Sequence, residues 1–395
     1  MPETAHPGEA PGASIEEFGG WPGLLGRLAA REDLTSAEAG VALREILEGA
    51  ATPSQMGAFI FGLRCKGETV EELTGMLEAM LKVAEIVPVP EEIAGRLVDT
   101  CGTGGDRSGT INVSTIAALV VAGAGVPVCK HGGRAASSRT GSADVLEALG
   151  VEIALPPLSV ARCIQHAGIG FCFAPRYHPA MRHVGPTRRE LGVPTAFNLL
   201  GPLANPGRAR YQLVGVGDGR VAERLAAVLG AAGTTRAWVV HGDDGLDELS
   251  TTAGSRVVEW DAGRAVSAEH AARPGTAGGS SEGIGTDAAP LSYFRVDPAA
   301  LGVARALPEQ LKGGGPEQNA GVVMDVLSGG AGPHRDIALL NAAAALVVVG
   351  EAPDLAEGLA RAGESVDSGR AQQSLEMLVS LSRSEAANVA AVSQG

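Results

Sequence analysis

Aromatic residues are scarce: Phe, Trp and Tyr together make up 3% of the 395 residues. Alanine, valine, leucine and glycine must therefore do most of the packing, which suits closely spaced helices on a sheet. Lysine is nearly absent, with four in the whole chain, and acidic residues outnumber basic ones to leave a net charge of −14. That balance argues against a broad basic surface and so against a general nucleic-acid or polyanion binder. An anionic ligand must find a local basic pocket instead. The five cysteines, Cys65, Cys101, Cys129, Cys163 and Cys172, are odd in number and lack paired short spacings. They support neither a disulfide framework nor a zinc cluster, and read as small buried hydrophobes in a reducing compartment. Cys101 and Cys129 adjoin the two loops described below, where strand-end packing is the expected role and a nucleophilic thiol the alternative. No uninterrupted apolar run reaches the length of a membrane span, and the N-terminus lacks the basic-then-apolar pattern of a signal peptide. These absences place the expected protein in the cytoplasm, with no membrane partner.

What is present is ordinary for a large soluble globular protein: 45% hydrophobic and 19% charged residues, enough for one large core or two domains. Residues 1–20 are rich in Pro, Gly, Ala and Glu without periodicity and read as a disordered tail. Three helix starts follow. Thr35 with Glu38, Thr52 with Gln55 and Pro53 between them, and Thr69 with Glu72 each have the spacing of a capping box. Met56, Phe59, Ile60 and Leu63 form one apolar stripe, with Gly67 as a C-cap. A small all-helical domain is expected over 21–88. From residue 89 to about 385 the pattern becomes short apolar runs, then glycine, then helix, as in Val126 to Lys130, Val214 to Val216 and Ala237 to Val240. Such alternation predicts an α/β domain with a central, largely parallel sheet, whose ligands bind beyond the carboxyl ends of the strands. Residues 265–290, rich in Gly, Ser, Ala and Thr, read as a flexible insertion, and 386–395 as a tail.

Two polar, glycine-rich loops lie within Val98 to Ser142, each after an expected buried strand. Gly102, Gly104 and Gly105 let backbone N–H groups approach an anion closely, and a helix opening near Asn112 aims its positive end at the same place. A dinucleotide fingerprint starting at Gly102 would need glycine at Arg107, and no Gly-Lys-Ser/Thr follows to make a mononucleotide loop. One such loop could be a plain turn before a helix; two so close together favour a phosphorylated ligand. Lys130, His131, Arg134 and Arg139, interleaved with glycine and serine, supply the local cationic cluster that the acidic chain otherwise lacks.

The wording of these segments is specific. Gly102-Thr103-Gly104-Gly105-Asp106, Asn112-Val113-Ser114-Thr115, Lys130-His131-Gly132, Arg134, Ser137-Ser138 and Gly141-Ser142 are followed by Phe173-Ala174-Pro175, His178-Pro179, Arg182-His183 and Arg188. Then come Phe197-Asn198, Gly201-Pro202-Leu203, Asn205-Pro206, Val240-His241-Gly242 and Asp247-Glu248. In this order, from about Trp21 to the last helix, the chain resembles the anthranilate phosphoribosyltransferase family.

The resemblance implies a nucleoside phosphorylase/phosphoribosyltransferase-like fold, with helices from about 176–205 joining the helical domain, and a homodimer formed through that domain. It implies transfer of the 5-phosphoribosyl group of phosphoribosyl pyrophosphate to the amine of anthranilate, releasing pyrophosphate, in tryptophan biosynthesis. Such a displacement calls for charge neutralisation and alignment more than for a proton-transfer dyad, and no general acid or base is assigned. By motif, the donor falls to Gly102, Gly105, Asp106, Thr110, Asn112, Val113, Ser114 and Thr115. The second loop, Lys130, His131, Gly132, Gly133, Arg134, Ala135, Ala136, Ser137 and Ser138, with Ser142, completes that cradle. Anthranilate falls to Gly102, Gly133 and Arg188, whose guanidinium fork suits a planar carboxylate. Mg²⁺ falls to Ser114, Asp247 and Glu248, while Asp243 and Asp244 are left as surface charges. The chain departs from the family in one place that bears on substrate choice, having Gly133 where an asparagine is usual. A pyrimidine nucleoside phosphorylase-like enzyme and a non-catalytic phosphosugar sensor are the alternatives on the same fold.

Overall fold

The computed structural model describes residues 13–106, 108–135, 139–264 and 290–393, which form two compact units. One comprises the chain up to Val83 together with Pro179–Leu200; the other comprises Ala84–His178 and the chain from Gly201 onward. Most of the insertion read at 265–290 lies outside the described residues.

The first unit is helical because its sequence starts and stops helices cleanly. Helices Ser36–Leu47, Pro53–Lys66 and Val70–Lys82 each carry a formed capping box, from Thr35 with Glu38, Thr52 with Gln55 and Thr69 with Glu72. In each, the threonine hydroxyl accepts from the N–H three residues on, while the Glu or Gln returns a bond to the threonine N–H. A cap of this kind contributes about 1 kcal/mol. Met56, Phe59, Ile60 and Leu63 are the buried residues of their helix, and Gly67 ends it with φ +91°. Helices Ser36–Leu47 and Val70–Lys82 pack closely because Gly75 has no side chain: a Cβ there would lie 1.9 Å from the Ser36 carbonyl. Glu72, fully buried, accepts from Leu34 N (2.9 Å) and Lys66 Nζ (3.0 Å).

The N-terminal tail ends earlier than the composition suggests. Ile15–Phe18 form a 3₁₀ turn, Ile15 is buried, and the Arg44 guanidinium donates to the Ala13 carbonyl. A single well-placed apolar anchor outweighs the local Gly and Pro content. The C-terminus differs in the same direction. Helix Arg370–Ser393 runs through residues read as a tail from 386, because an Ala-rich stretch extends an existing helix at little cost. Its middle is fixed by Glu385, which pairs with Arg162 and accepts from Ser159 Oγ at 2.7 Å.

The second unit holds a sheet in the order β3-β2-β1-β4-β5-β6-β7. β1 (Val98–Gly102), β2 (Val128–Gly132), β3 (Ile169–Phe173), β4 (Tyr211–Gly215) and β5 (Arg236–Gly242) are mutually parallel. β6 (Ser255–Asp261) and β7 (Leu291–Val296) add antiparallel to one edge. Helix Val113–Gly123 is buried on nearly every side, as its unbroken run of small apolar residues requires. A Cβ on Gly123 would lie 2.5 Å from Ala371 N, and Ser365 Oγ donates to the Val120 carbonyl at 2.7 Å. No helix among the described residues is long and apolar enough to cross a membrane.

Candidate active site

The carboxyl ends of β1, β2, β4 and β5 carry the loops that the sequence singles out. After β1 the chain turns at Gly104 (φ +65°), and Thr103 N donates to the Gly215 carbonyl (2.9 Å) at the end of β4. Asp106 Oδ1 accepts from Ser108 N (3.1 Å), and Ser108 Oγ lies 3.0 Å from Thr110 Oγ1. Asn112 then joins the two glycine loops. Its amide donates to the Thr140 carbonyl (3.0 Å), and its oxygen accepts from Asn319 Nδ2 (2.8 Å). Asn319 Oδ1 also accepts from Gly314 N (2.7 Å), and Thr140 Oγ1 donates to the Gly314 carbonyl (2.7 Å). Sequence reasoning missed this third segment. Its signal was the Gly313-Gly314-Gly315-Pro316 helix start.

The cationic cluster disperses into four environments. Lys130 is buried and donates to the Thr100 carbonyl (2.7 Å) and Ser114 Oγ (3.3 Å); burial lowers its pKa, opposed by Asp99. His131 is buried too, its pKa pushed down to about 3 by burial, with His178 and Lys130 adding to the effect, so it is a neutral imidazole. Its ring packs edge-on against His178 at 5.1 Å, and its Nε2 has no hydrogen-bond partner. Arg134 turns to the helix Ser142–Ala148 and pairs with Asp144 (2.8 Å) and Glu147 (2.8 Å). Arg139 is exposed. Ala136, Ser137 and Ser138 lie outside the described residues.

Behind Lys130 is a pair to which the sequence reading gave no role, although Asn205 stands among its motifs. Asp99 is fully buried and accepts from Asn205 Nδ2 (2.7 Å) and from the His131 N–H (3.3 Å). The Asn205 amide also donates to the Cys129 carbonyl (2.7 Å), so the two side chains bracket Lys130. Burial raises the Asp99 pKa to about 6 against the opposing effect of Lys130. Gly132 and Gly133 follow. The Gly133 carbonyl accepts from Ala143 N (3.2 Å) and Ser142 Oγ (3.5 Å), which fixes the loop against the next helix.

The acidic loop after β5 reaches the same strand ends because Gly215 allows it: a Cβ on Gly215 would lie 1.5 Å from the Asp247 carbonyl oxygen. Asp247 Oδ2 accepts from Gly104 N at 2.7 Å, and the Glu248 carboxylate accepts from the Ser114 N–H. Ser114, Asp247 and Glu248 are thus brought together beside the first glycine loop. Burial, then the neighbouring Asp106, pushes Asp247 up to about 7; burial, then Asp247, holds Glu248 well above the usual carboxylate range. Asp243 and Asp244 play other parts. Asp243 pairs with Arg256 (3.4 Å) and Arg295, and Asp244 accepts from Ser250 Oγ (2.6 Å) to close the loop.

Among the described residues no three His, Cys, Asp or Glu side chains stand in a ready-made metal cage. Mg²⁺ rarely uses one, since it is held by one or two carboxylates together with substrate phosphates. The buried Cys101 thiol, its pKa raised by burial, donates to the Pro202 carbonyl (3.4 Å), which leaves it no nucleophilic role. Arg188 belongs to the helical unit, where its guanidinium lies 5.2 Å from the Phe197 ring centre and burial lowers its pKa.

A helical unit and an α/β unit with glycine loops and an acidic pair at its strand ends define a glycosyl transferase of the helical-bundle-plus-α/β class. The profile described as "Glycosyl transferase family, helical bundle domain" matches residues 22–84, and "Glycosyl transferase family, a/b domain" matches 94–278 and 279–372. More specifically, the chain belongs to the anthranilate phosphoribosyltransferase family. It is 48% identical to the Chloroflexus aggregans anthranilate phosphoribosyltransferase over 92% of this chain and 98% of that protein. Against the Methylobacterium radiotolerans enzyme it is 48% identical, covering 90% of this chain and 94% of that one. The crystal structure of the Thermus thermophilus anthranilate phosphoribosyltransferase superposes with TM-score 0.79 and 39% identity, over 91% of this chain and 99% of that one. The Saccharomyces cerevisiae enzyme in complex with PRPP and Mg gives TM-score 0.79 and 27% identity, over 92% and 98%.

Proposed function

We propose that this chain transfers the 5-phosphoribosyl group of phosphoribosyl pyrophosphate to the amine of anthranilate, with Mg²⁺ as cofactor, in tryptophan biosynthesis. The observation that carries the reading is the convergence of Asp247, Glu248 and Ser114 on the Gly102–Asp106 loop. Three carboxylates, Asp106 included, crowd a site built of backbone N–H groups; burial and then Asp106 raise the pKa of Asp247, and burial and then Asp247 raise that of Glu248. That donor set fits a divalent cation shared with phosphate oxygens. Bound there, Mg²⁺ neutralises charge on the departing diphosphate.

The chain's own residues do the rest. The bond from the anomeric carbon to the diphosphate breaks, the bond to the anthranilate nitrogen forms, and the amine's proton passes to the departing diphosphate or to solvent. Backbone around Gly102, Gly105 and Asp106, with Thr110, Asn112, Val113, Ser114 and Thr115, holds diphosphate and ribose. The second loop, from Lys130 to Ala135 and with Ser142, completes the cradle. Lys130 acts from behind, holding Ser114 Oγ and the Thr100 carbonyl in place. Gly102 and Gly133 serve anthranilate, Arg188 is the residue to which the family motif gives its carboxylate, and the neutral His131 adds no charge against the positive charge that develops on the attacking nitrogen.

The assay is pyrophosphate release from phosphoribosyl pyrophosphate. The expected result is release that requires both Mg²⁺ and anthranilate. Phosphate-dependent nucleoside cleavage in its place would make the chain a nucleoside phosphorylase, and donor binding without turnover a sensor. The same reading makes the protein a cytoplasmic homodimer, for which sedimentation should give twice the 39.9 kDa chain mass.

A further inference from the structure

The acidic loop and the glycine loop share a hydrogen bond that bears on how donor and metal bind. Asp247 Oδ2 accepts from the Gly104 N–H at 2.7 Å, a short charge-assisted bond in a water-poor place, since Asp247 is 9% exposed. Gly104 lies between Gly102 and Gly105, the backbone proposed above to hold the diphosphate, and its φ of +65° aims the peptide as only glycine readily allows. A Cβ on Gly102 would lie 2.7 Å from the same Oδ2, so this strand end is shaped around the Asp247 carboxylate. An N–H directed at one anionic oxygen cannot at once serve a second with full strength.

We propose that the Asp247 carboxylate and the donor's diphosphate compete for the Gly104 N–H, so that Asp247 is an exchange partner coupling donor binding to metal binding. The inference rests on the reading of this site as the donor site. Two alternative pairings follow. In one, Asp247 takes Gly104. In the other, a phosphate oxygen takes Gly104, and Asp247, released, takes a divalent cation that the phosphate oxygens share. Without a cation the second pairing leaves two anions side by side beside Asp106, and is disfavoured. With one, both anions are satisfied. Metal and donor should therefore bind with positive coupling, reciprocal for the two ligands as linkage requires.

Calorimetric titration of phosphoribosyl pyrophosphate into the full chain tests this, in chelator and in Mg²⁺, for the native protein, Asp247→Ala and Asp247→Asn. Unfolding temperatures confirm that each variant is folded. The expected result is a reversal of sign. In chelator, Asp247→Ala binds the donor roughly tenfold more tightly than native, the scale of one charge-assisted hydrogen bond. In Mg²⁺ it binds more weakly. Asp247→Asn sheds the charge but keeps an oxygen facing Gly104, so in chelator it should gain less than Asp247→Ala. Were asparagine alone to fold, it should still tighten binding in chelator and weaken it in Mg²⁺. Equal gains by both variants would mean simple charge repulsion, and weakening in both conditions a structural role; either overturns the exchange while leaving the function standing. No binding by the native chain in Mg²⁺ would instead overturn the function, and the exchange with it.

Discussion

Replacing Gly133 by asparagine, the residue usual in the family, should improve the use of anthranilate. Geometry permits the change. A Cβ on Gly133 would meet only Ala174 Cβ at 4.0 Å, which is ordinary contact, and Gly133 does not have the positive φ that penalises side chains. The Gly133 carbonyl is already tied to Ala143 N and Ser142 Oγ, so a new side chain would project from a fixed backbone. One neutral hydrogen bond to the acceptor contributes about 0.5–1.5 kcal/mol, or roughly a two- to tenfold fall in the KM for anthranilate. The donor KM should stay constant, because the backbone that Gly133 lends to the donor cradle is unchanged. The neighbouring glycine is the control: a Cβ on Gly132 would lie 2.2 Å from Ser142 Oγ, so Gly132→Ala should lower thermal stability and weaken donor binding. Steady-state kinetics with each substrate varied in turn decide the matter. An unchanged or raised anthranilate KM in a folded Gly133→Asn enzyme would refute the idea that this position faces the acceptor.

Three further outcomes are expected. Asn205→Ala strips partners from the buried Asp99 carboxylate and the Cys129 carbonyl, and should cost about 3 kcal/mol of stability; a loss under about 1 kcal/mol on chemical denaturation would show that the bracket around Lys130 is dispensable. Mg²⁺ affinity should fall as pH is lowered, because Asp247, held near 7 by burial and then by Asp106, takes up the proton that excludes the metal. The fall from about pH 8 to about pH 6 is roughly tenfold per competing proton, and a flat titration over that range would contradict the assignment. Arg188→Ala should raise the anthranilate KM by roughly thirtyfold, the loss of a charged hydrogen-bond pair, with Arg189→Ala close to native. Equal effects at the two arginines would remove Arg188 from the acceptor site.

Local chemistry was legible in the sequence. The three capping boxes depend only on residues three apart, and all three form as their spacing requires. The alternation of apolar run, glycine and helix specified an α/β sheet with its loops at the carboxyl ends, and the motif wording identified the family. The two antiparallel strands, β6 and β7, were harder to see because nothing in their short apolar runs distinguishes pairing direction. The terminal tails were misjudged at Ile15 and beyond Ala386, where composition pointed one way and a single buried anchor or an extended helix the other.

What only the tertiary structure decided is which charges face which partners. Lys130, His131, Arg134 and Arg139 are close in sequence and looked like one cationic clamp. In space one is buried against Ser114, one is neutral, one is paired to acids and one is exposed. Asp247 and Gly104 are 143 residues apart, yet share a 2.7 Å hydrogen bond. Asp99 and Asn205, separated by 106 residues, hold the strand on which Lys130 sits. Caps, turns and periodicity are set by neighbours along the chain, so the sequence determines them alone. Burial, protonation and long-range pairing depend on which strands end side by side, and that is settled only when the sheet is assembled.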